Sequence, residues 1–382
     1  MKTLNFQPVI TAEKENVLRQ EVRDFLKEHG KIKDADVIDS WSVCDPEFSR
    51  TLAQKGWLGM TWPAEYGGGN RSYLERYVMI EELLAAGAPV GAHWVADRQS
   101  GPLLLRFGTE EQRTHFLPKI IAGECFFAIG MSEPNSGSDL ASIKTRAEKV
   151  DGGWLINGSK IWTSWAHVCH QMITLCRTAP ETKDRHAGLS QLIVDLKQTG
   201  ITIRPIENLA GDKHFNEIFF DDVFVPDNRL IGSVGEGWGQ VMAELAFERS
   251  GPERFLSSYQ LLEAAIKQLR SNGVTHQAKM VIGEYTARLM VLRQMSLSVA
   301  KQLQEGKLPV NEASVVKDLG TSFEQDLPDA IRLIINSEPR PSESEGIERL
   351  LSDAILKSPA FSLRGGTREI LRGIIARGLG LR

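Results

Sequence analysis

Cysteine is scarce: of 382 residues only Cys44, Cys125, Cys169 and Cys176 carry thiols, and none stands in a CxxC spacing. That scarcity excludes a disulfide framework, and scattered single cysteines do not build a zinc site or a redox pair, so reduced structural thiols are expected and no metal. Long apolar runs are lacking as well. No stretch reaches the roughly eighteen apolar residues that a membrane helix needs, and Met1 to Pro8 is polar, without the pattern of a signal peptide or a lipidation site. The expectation is a cytoplasmic protein with no membrane partner. Positive charge is not in excess either: the formal net charge is −4 and the pI about 6.1. Nothing attracts phosphate backbones in general, there is no basic C-terminal extension, and nucleic acid is not an expected partner. Internal repeats are absent. Gly235-x-Gly237-x-Gly239 is not a dinucleotide fingerprint, because no strand leads into it at the required spacing.

What is present is apolar content, 42% of residues, enough for the sizeable cores of two or three packed units. Three segments follow from periodicity, with boundaries at 1–123, 124–231 and 232–382. In the first, apolar residues at three- and four-residue spacing predict helices over Glu13–Glu28, Pro46–Lys55, Ser72–Ala86 and Glu110–Ile121, with breaks at Pro63 and Gly67-Gly68-Gly69. The second changes to short β-rich runs, Gly153–Asn157, Lys160–Ser164, Gln171–Cys176, Ser190–Asp195, Ile201–Pro205 and Asn216–Phe220, separated by Gly, Asp and Asn turns. A small antiparallel barrel fits them. In the third, helical spacing returns over Gln240–Arg249, Arg254–Leu269, Lys279–Glu305, Glu312–Ile335 and Glu348–Leu356, and the Ser-, Pro- and Glu-rich stretch Asn336–Gly346 reads as a mobile exposed loop.

The most informative residues are Ile129-Gly-Met-Ser-Glu-Pro-Asn-Ser-Gly-Ser-Asp139 and Trp162-Thr163-Ser164. Gly130 and Gly137 permit close backbone approach, Ser132, Ser136 and Ser138 offer hydroxyls, and Trp162 offers a flat aromatic face. Together with Gly56-Trp-Leu-Gly-Met60, Pro63-Ala-Glu-Tyr-Gly-Gly68, Gly108-Thr-Glu-Glu-Gln112, Phe219-Phe-Asp-Asp-Val-Phe-Val-Pro226 and Gly365-Gly366-Thr367, they make the chain resemble the acyl-CoA dehydrogenase family nearly end to end. The resemblance implies an α+β fold with an N-terminal helical domain, a central antiparallel β-barrel and a C-terminal four-helix bundle. It also implies FAD as cofactor and an acyl-CoA substrate oxidised to a trans-2-enoyl-CoA, with electrons passed to an electron-transfer flavoprotein.

Residue by residue, the resemblance sets Ile129, Met131 and Ser132 at the flavin edge, Trp162 and Ser164 over the ring and toward its N5 side, Thr367 and Glu369 at the adenosine end, and Ser138 on the CoA side. Removing an α proton needs a desolvated base and donors that stabilise the enolate oxygen. Many members place the base in a Tyr-Glu-Gly-Thr stretch. Here that stretch reads Arg364-Gly365-Gly366-Thr367, so the glutamate is absent and Gly365 retains only its backbone N–H for the thioester oxygen. Another branch carries its base in a Glu-Arg pair on the helix after the barrel. Phe247-Glu248-Arg249-Ser250 offers that pair, making Glu248 the expected base, with Glu253 and Glu244 as alternatives, and setting Arg249 against the CoA moiety.

Two stretches depart from the family. Its members usually donate Arg-x-x-Phe-Gly and Gln-x-x-Gly-Gly-x-Gly segments from a neighbouring subunit to the FAD pyrophosphate and adenosine. Here the corresponding residues read Ser271–Gln277 and Asp318–Glu324. The pattern resembles subunits of heteromeric bacterial enzymes that degrade sterols and other bulky acyl chains. A homo- or hetero-oligomer, dimer or tetramer, is therefore expected, with a non-catalytic or half-site subunit and an acyl-CoA oxidase as alternatives. Trp94, Asp97 and Arg98 lie near where family members line the acyl cavity and would suit a bulky or polar acyl group; a structural ion pair remote from the cavity is the other reading.

Overall fold

The computed structural model describes residues 3–29, 37–180, 182–342 and 346–381, with 245–248 described in backbone only. In chain order the helices are α1 (Glu13–Glu28), α2 (Pro46–Gln54), α3 (Tyr73–Ala85), α4 (Gly91–Val95), α5 (Gly101–Phe107) and α6 (Glu110–Ile121). Among the described residues seven strands follow: β1 (Phe127–Gly130), β2 (Arg146–Val150), β3 (Gly153–Ser164), β4 (Gln171–Arg177), β5 (Leu189–Asp195), β6 (Ile201–Ile206) and β7 (Phe215–Pro226). The chain then returns to helix in α7 (Gly237–Glu248), α8 (Tyr259–Asn272), α9 (His276–Gln304), α10 (Val310–Ile335), α11 (Ile347–Lys357) and α12 (Arg368–Gly378). Helices, sheet, helices is the order that periodicity predicts.

Two compact units form. One comprises Cys44–Asn70 and Val90–Phe247. Its seven-stranded curled sheet runs β1-β4-β2-β3-β7-β6, with β5 on the far side of β4. The sheet is antiparallel except where β1 runs parallel beside β4, pairing Ile129 with Ile173, and at one parallel bridge between β2 and β4. The expectation of an antiparallel sheet missed this, because β1 is only four residues long and apolar on both faces. Its alternation divides two cores: Phe126 and Ala128 join Ile156, Met172, Val194 and Ile218, while Phe127 and Ile129 join Phe116, Leu117 and Ile120 of α6. Gly153–Asn157 and Lys160–Ser164, expected as separate strands, are one strand with two register shifts against β7.

The second unit comprises Met1–Val43, Arg71–Pro89 and Glu248–Arg382. Here α10 packs on α8, α9, α11 and α12, while α3 packs on both α1 and α9. Glu81 and Glu82 of α3 receive Arg19 and Arg23 from α1 and Arg293 from α9. Helices from the first sequence segment thus fold with those of the last.

One helix starts later than expected, and two helical stretches were not foreseen. The helix expected from Arg254 begins at Tyr259: the chain first makes a 3-10 turn over Pro252–Arg254, and the Ser257 amide donates to Glu324 Oε1 instead of to a carbonyl four residues back. Residues Gly91–Phe107, over which no helix was expected, form one helical run with a π-helical stretch over Ala96–Ser100. Helix α12 was also missed; Thr367 caps it and Asp318 holds Arg368 and Arg372 from its first turns. The mobile loop expected over Asn336–Gly346 lies partly outside the described residues, at 343–345.

Candidate active site

The sheet unit carries the 129–139 and 162–164 residues. Met131, Ser132 and Glu133 are clamped to β3 at three consecutive points. Lys160 Nζ donates to the Met131 carbonyl at 3.0 Å, the Ile161 amide donates to the Ser132 carbonyl at 2.9 Å, and Lys160 Nζ reaches Glu133 Oε1 at 2.9 Å. Glu133 also accepts the Lys144 and Thr145 amides. Burial pushes the Glu133 carboxyl up, but Lys160 and those amides more than offset it and hold the group below its ordinary range. Lys160 is fully buried.

One residue beyond this clamp, Trp162 stands at φ 61°, where the β3–β7 register shifts. A tryptophan in the left-handed region is strained, and such residues gather where function requires them. Its indole rests edge-on against Phe215, centroids 5.8 Å apart, yet remains 56% exposed. Ser132 and Ser164 are half-buried, and among the described residues neither side chain has a hydrogen-bond partner. An exposed aromatic face flanked by unengaged hydroxyls fits a flat ring with polar edges.

Other motif residues have structural tasks. A Cβ on Gly130 would meet Met172 at 2.9 Å, so that glycine serves sheet packing, whereas a Cβ on Gly137 would meet nothing within 4 Å beyond its chain neighbours. The Ser136 hydroxyl donates to the Asp139 carbonyl at 2.7 Å, and Asp139 pairs with Arg185. Ser138 is exposed. Asp97 accepts the Gly59 amide at 2.7 Å, and Arg98 lies 5.5 Å from the Trp94 ring centroid. Arg98 also lines a small recess with Pro102, Arg106 and Glu244, and Glu244 accepts a hydrogen bond from Gln191 at 2.9 Å. The thiols are unbridged, and burial pushes Cys44 and Cys125 up to about 11 and Cys176 up to about 12.

The helical unit carries the remaining site residues. Helix α7 ends at Glu248, whose side chain lies outside the described residues. Arg249 is buried rather than presented to solvent, and its Nε donates to the Gly365 carbonyl at 3.3 Å. Gly365 and Gly366 stand at φ 66° and 96°, a turn that suits glycine. Lys317 Nζ donates to the Gly366 carbonyl at 3.1 Å. Thr367 and exposed Glu369 follow at the start of α12; Glu369 is held below the usual carboxylate range by its own backbone N–H and the Thr367 hydroxyl. Glu253 is buried beside Arg254, 3.5 Å from its Nε. Sequence reasoning passed over Lys160 and Lys317; a lysine within an otherwise core-facing pattern was the available signal in both cases.

Comparison with known proteins matches three family models in chain order: the acyl-CoA dehydrogenase N-terminal domain over residues 12–124, the middle domain over 128–223 and the C-terminal domain over 235–380. The chain is 35% identical to the acyl-CoA dehydrogenase IpdE1 of Mycolicibacterium smegmatis over 353 residues, 87% of each protein. It is 34% identical to the acyl-CoA dehydrogenase FadE34 of Mycobacterium tuberculosis over 87% of its own length but 46% of that relative's, so it spans less than half of FadE34. A solved structure described as the Tcur3481-Tcur3483 steroid ACAD superposes with a TM-score of 0.87 at 28% identity, covering 98% of this chain and 99% of the other.

Proposed function

Because this chain belongs to the acyl-CoA dehydrogenase family and is an oxidoreductase of that class, we propose that it carries out FAD-dependent α,β-dehydrogenation of a bulky acyl-CoA thioester and passes the electrons to an electron-transfer flavoprotein. The observation that carries the reading is Trp162: a strained, exposed aromatic face beside the clamped Ser132 segment. Trp162 and Ser164 would cover the flavin, Ile129, Met131 and Ser132 would meet its edge, and Thr367 and Glu369 would meet the adenosine end. Bound FAD supplies the acceptor for the β hydrogen.

The chain's own groups do the rest. Glu248 takes the α proton onto its carboxylate. The Gly365 N–H donates to the thioester oxygen as negative charge develops there, a contribution of about 3–4 kcal/mol where such donors have been removed. Ser138 is assigned to the CoA side, and Arg249 to holding the carbonyl of the glycine whose amide does this work. The likeness to a steroid enzyme favours a ring-bearing or otherwise bulky acyl group.

A second reading, a chain that completes its cofactor site only with a sister subunit, has its own support. Where family donors to the pyrophosphate would stand, Asp318 holds Arg368 and Arg372, and Glu324 is buried against Arg364. Acidic groups engaged within their own fold are not donors to a dianion. The visible spectrum of the chain purified alone, recorded anaerobically before and after short, long and steroid-like acyl-CoAs, tests both. Bound flavin that bleaches with the steroid-like thioester is the result expected of the leading reading. Bound flavin that no acyl-CoA bleaches would remove it, and a colourless chain would favour the second.

A further inference from the structure

The Gly365–Gly366 turn has no side chain of its own to fix it. Two adjacent glycines have the widest backbone freedom available, so an amide placed there would wander unless its neighbours held it. Position matters at this point: displacing a reacting group or donor by about 1 Å costs on the order of a hundredfold in rate. What holds the turn on its upstream side is Arg364, the residue standing where the family stretch has tyrosine.

Arg364 is unusually well held. Its Nη1 donates to Asp39 Oδ1 at 2.7 Å, and its Nη2 donates to Ser257 Oγ at 2.8 Å and lies 3.3 Å from Glu324 Oε2. Its guanidinium carbon lies 4.6 Å from the Trp41 ring centroid and 4.2 Å from that of Phe361. The acceptors are themselves fixed: the Asp39 amide donates to the Ser257 carbonyl at 2.8 Å, and the Ser257 amide to Glu324 Oε1 at 2.8 Å. Arg249 and Lys317 hold the two glycine carbonyls.

Resting on the acyl-CoA dehydrogenase reading above, we propose that Arg364 is a positioning residue for the Gly365 amide. Its fork, closed by Asp39, Ser257 and Glu324, holds in place a donor that in the glutamate-bearing relatives is carried by a residue with a side chain. A lysine would keep the charge and lose the planar two-sided fork.

The test compares the parent protein, in whatever assembly it purifies, with Arg364→Lys and Asp39→Asn. Acetoacetyl-CoA is the probe, because its enolate absorbs in the near ultraviolet and its apparent pKa when bound reports how strongly the site stabilises the thioester oxygen, independently of turnover. The expected result is a bound-probe pKa that rises toward that of free acetoacetyl-CoA in both variants. With it, kcat should fall about ten- to a hundredfold while KM and flavin content stay within about twofold. Variants that hold flavin and match the parent in probe pKa and kcat would overturn the positioning role alone. A parent that neither shifts the probe nor oxidises any acyl-CoA would overturn the enzymatic reading and this role with it. Should Arg364→Lys fail to fold, Asp39→Asn, which removes one charge and no volume, carries the comparison.

Discussion

At the scale of single residues, the chain combines a missing side chain with a well-held one. The absence at Gly365 is visible in the sequence, and it directs the search for a base to Glu248. Glu248→Gln should retain flavin and abolish its reduction by acyl-CoA; anaerobic stopped-flow absorbance measures this, and reduction at the parent rate would reassign the base to Glu253 or Glu244. The partners of Arg364 were not legible, because Asp39, Ser257 and Glu324 lie 325, 107 and 40 positions away, and no local pattern encodes such pairings. Glu324 also carries a pH signature. Burial, only partly countered by Arg364 and Ser257, pushes its carboxyl up from 4.5 to about 7. Between those values the native state keeps a proton that the unfolded chain has released. This group's contribution to stability is therefore fully present below about pH 4.5 and lost as pH rises through 7. Glu324→Gln should abolish that dependence, so its melting temperature should gain on the parent's as pH is raised from about 5 to 8. A constant difference across that range would show that Glu324 does not titrate there.

At the scale of elements, the segment Met131–Glu133 is held by a buried ion pair and one backbone hydrogen bond rather than by a ladder of strand hydrogen bonds. Lys160 reaches from β3 to Met131 and Glu133, which fixes the segment carrying Ser132 one residue away from the register shift that turns Trp162 outward. The sequence reading grouped Ser132 with Trp162, yet Lys160, which bonds the segment carrying Ser132 to β3, read as an ordinary strand residue. Lys160→Met should destabilise the protein by about 3–5 kcal/mol, because Glu133 would be left charged, buried and without its cation. Replacing both partners, Lys160→Met with Glu133→Gln, should recover only the part of the loss due to the unpaired charge, because one of the two amides that Glu133 accepts would face the Gln Nε2. Denaturant unfolding measures both, and an unchanged midpoint for the single variant would mean that strand pairing alone holds the segment.

At the scale of the whole molecule, Asp318 and Glu324, at the two ends of one stretch where family members donate to a neighbour's FAD, are engaged within this chain's own fold. Under the half-site reading, native mass measured after co-expression with a neighbouring family gene should exceed that of any assembly of this chain alone. A fully flavinated homo-oligomer would count against it. The sequence by itself determined the order of helices, sheet and helices, the family and the vacancy at Gly365, because apolar periodicity and short contiguous motifs are local properties of a chain. Only the tertiary structure decided that α1 and α3 fold with the C-terminal helices, that β1 lies parallel to β4, that Arg364 meets Asp39, Ser257 and Glu324, and that Lys160 meets Met131 and Glu133. Periodicity records that a face is apolar or that a charge is buried; which distant face or charge it meets is settled when the whole chain closes its cores.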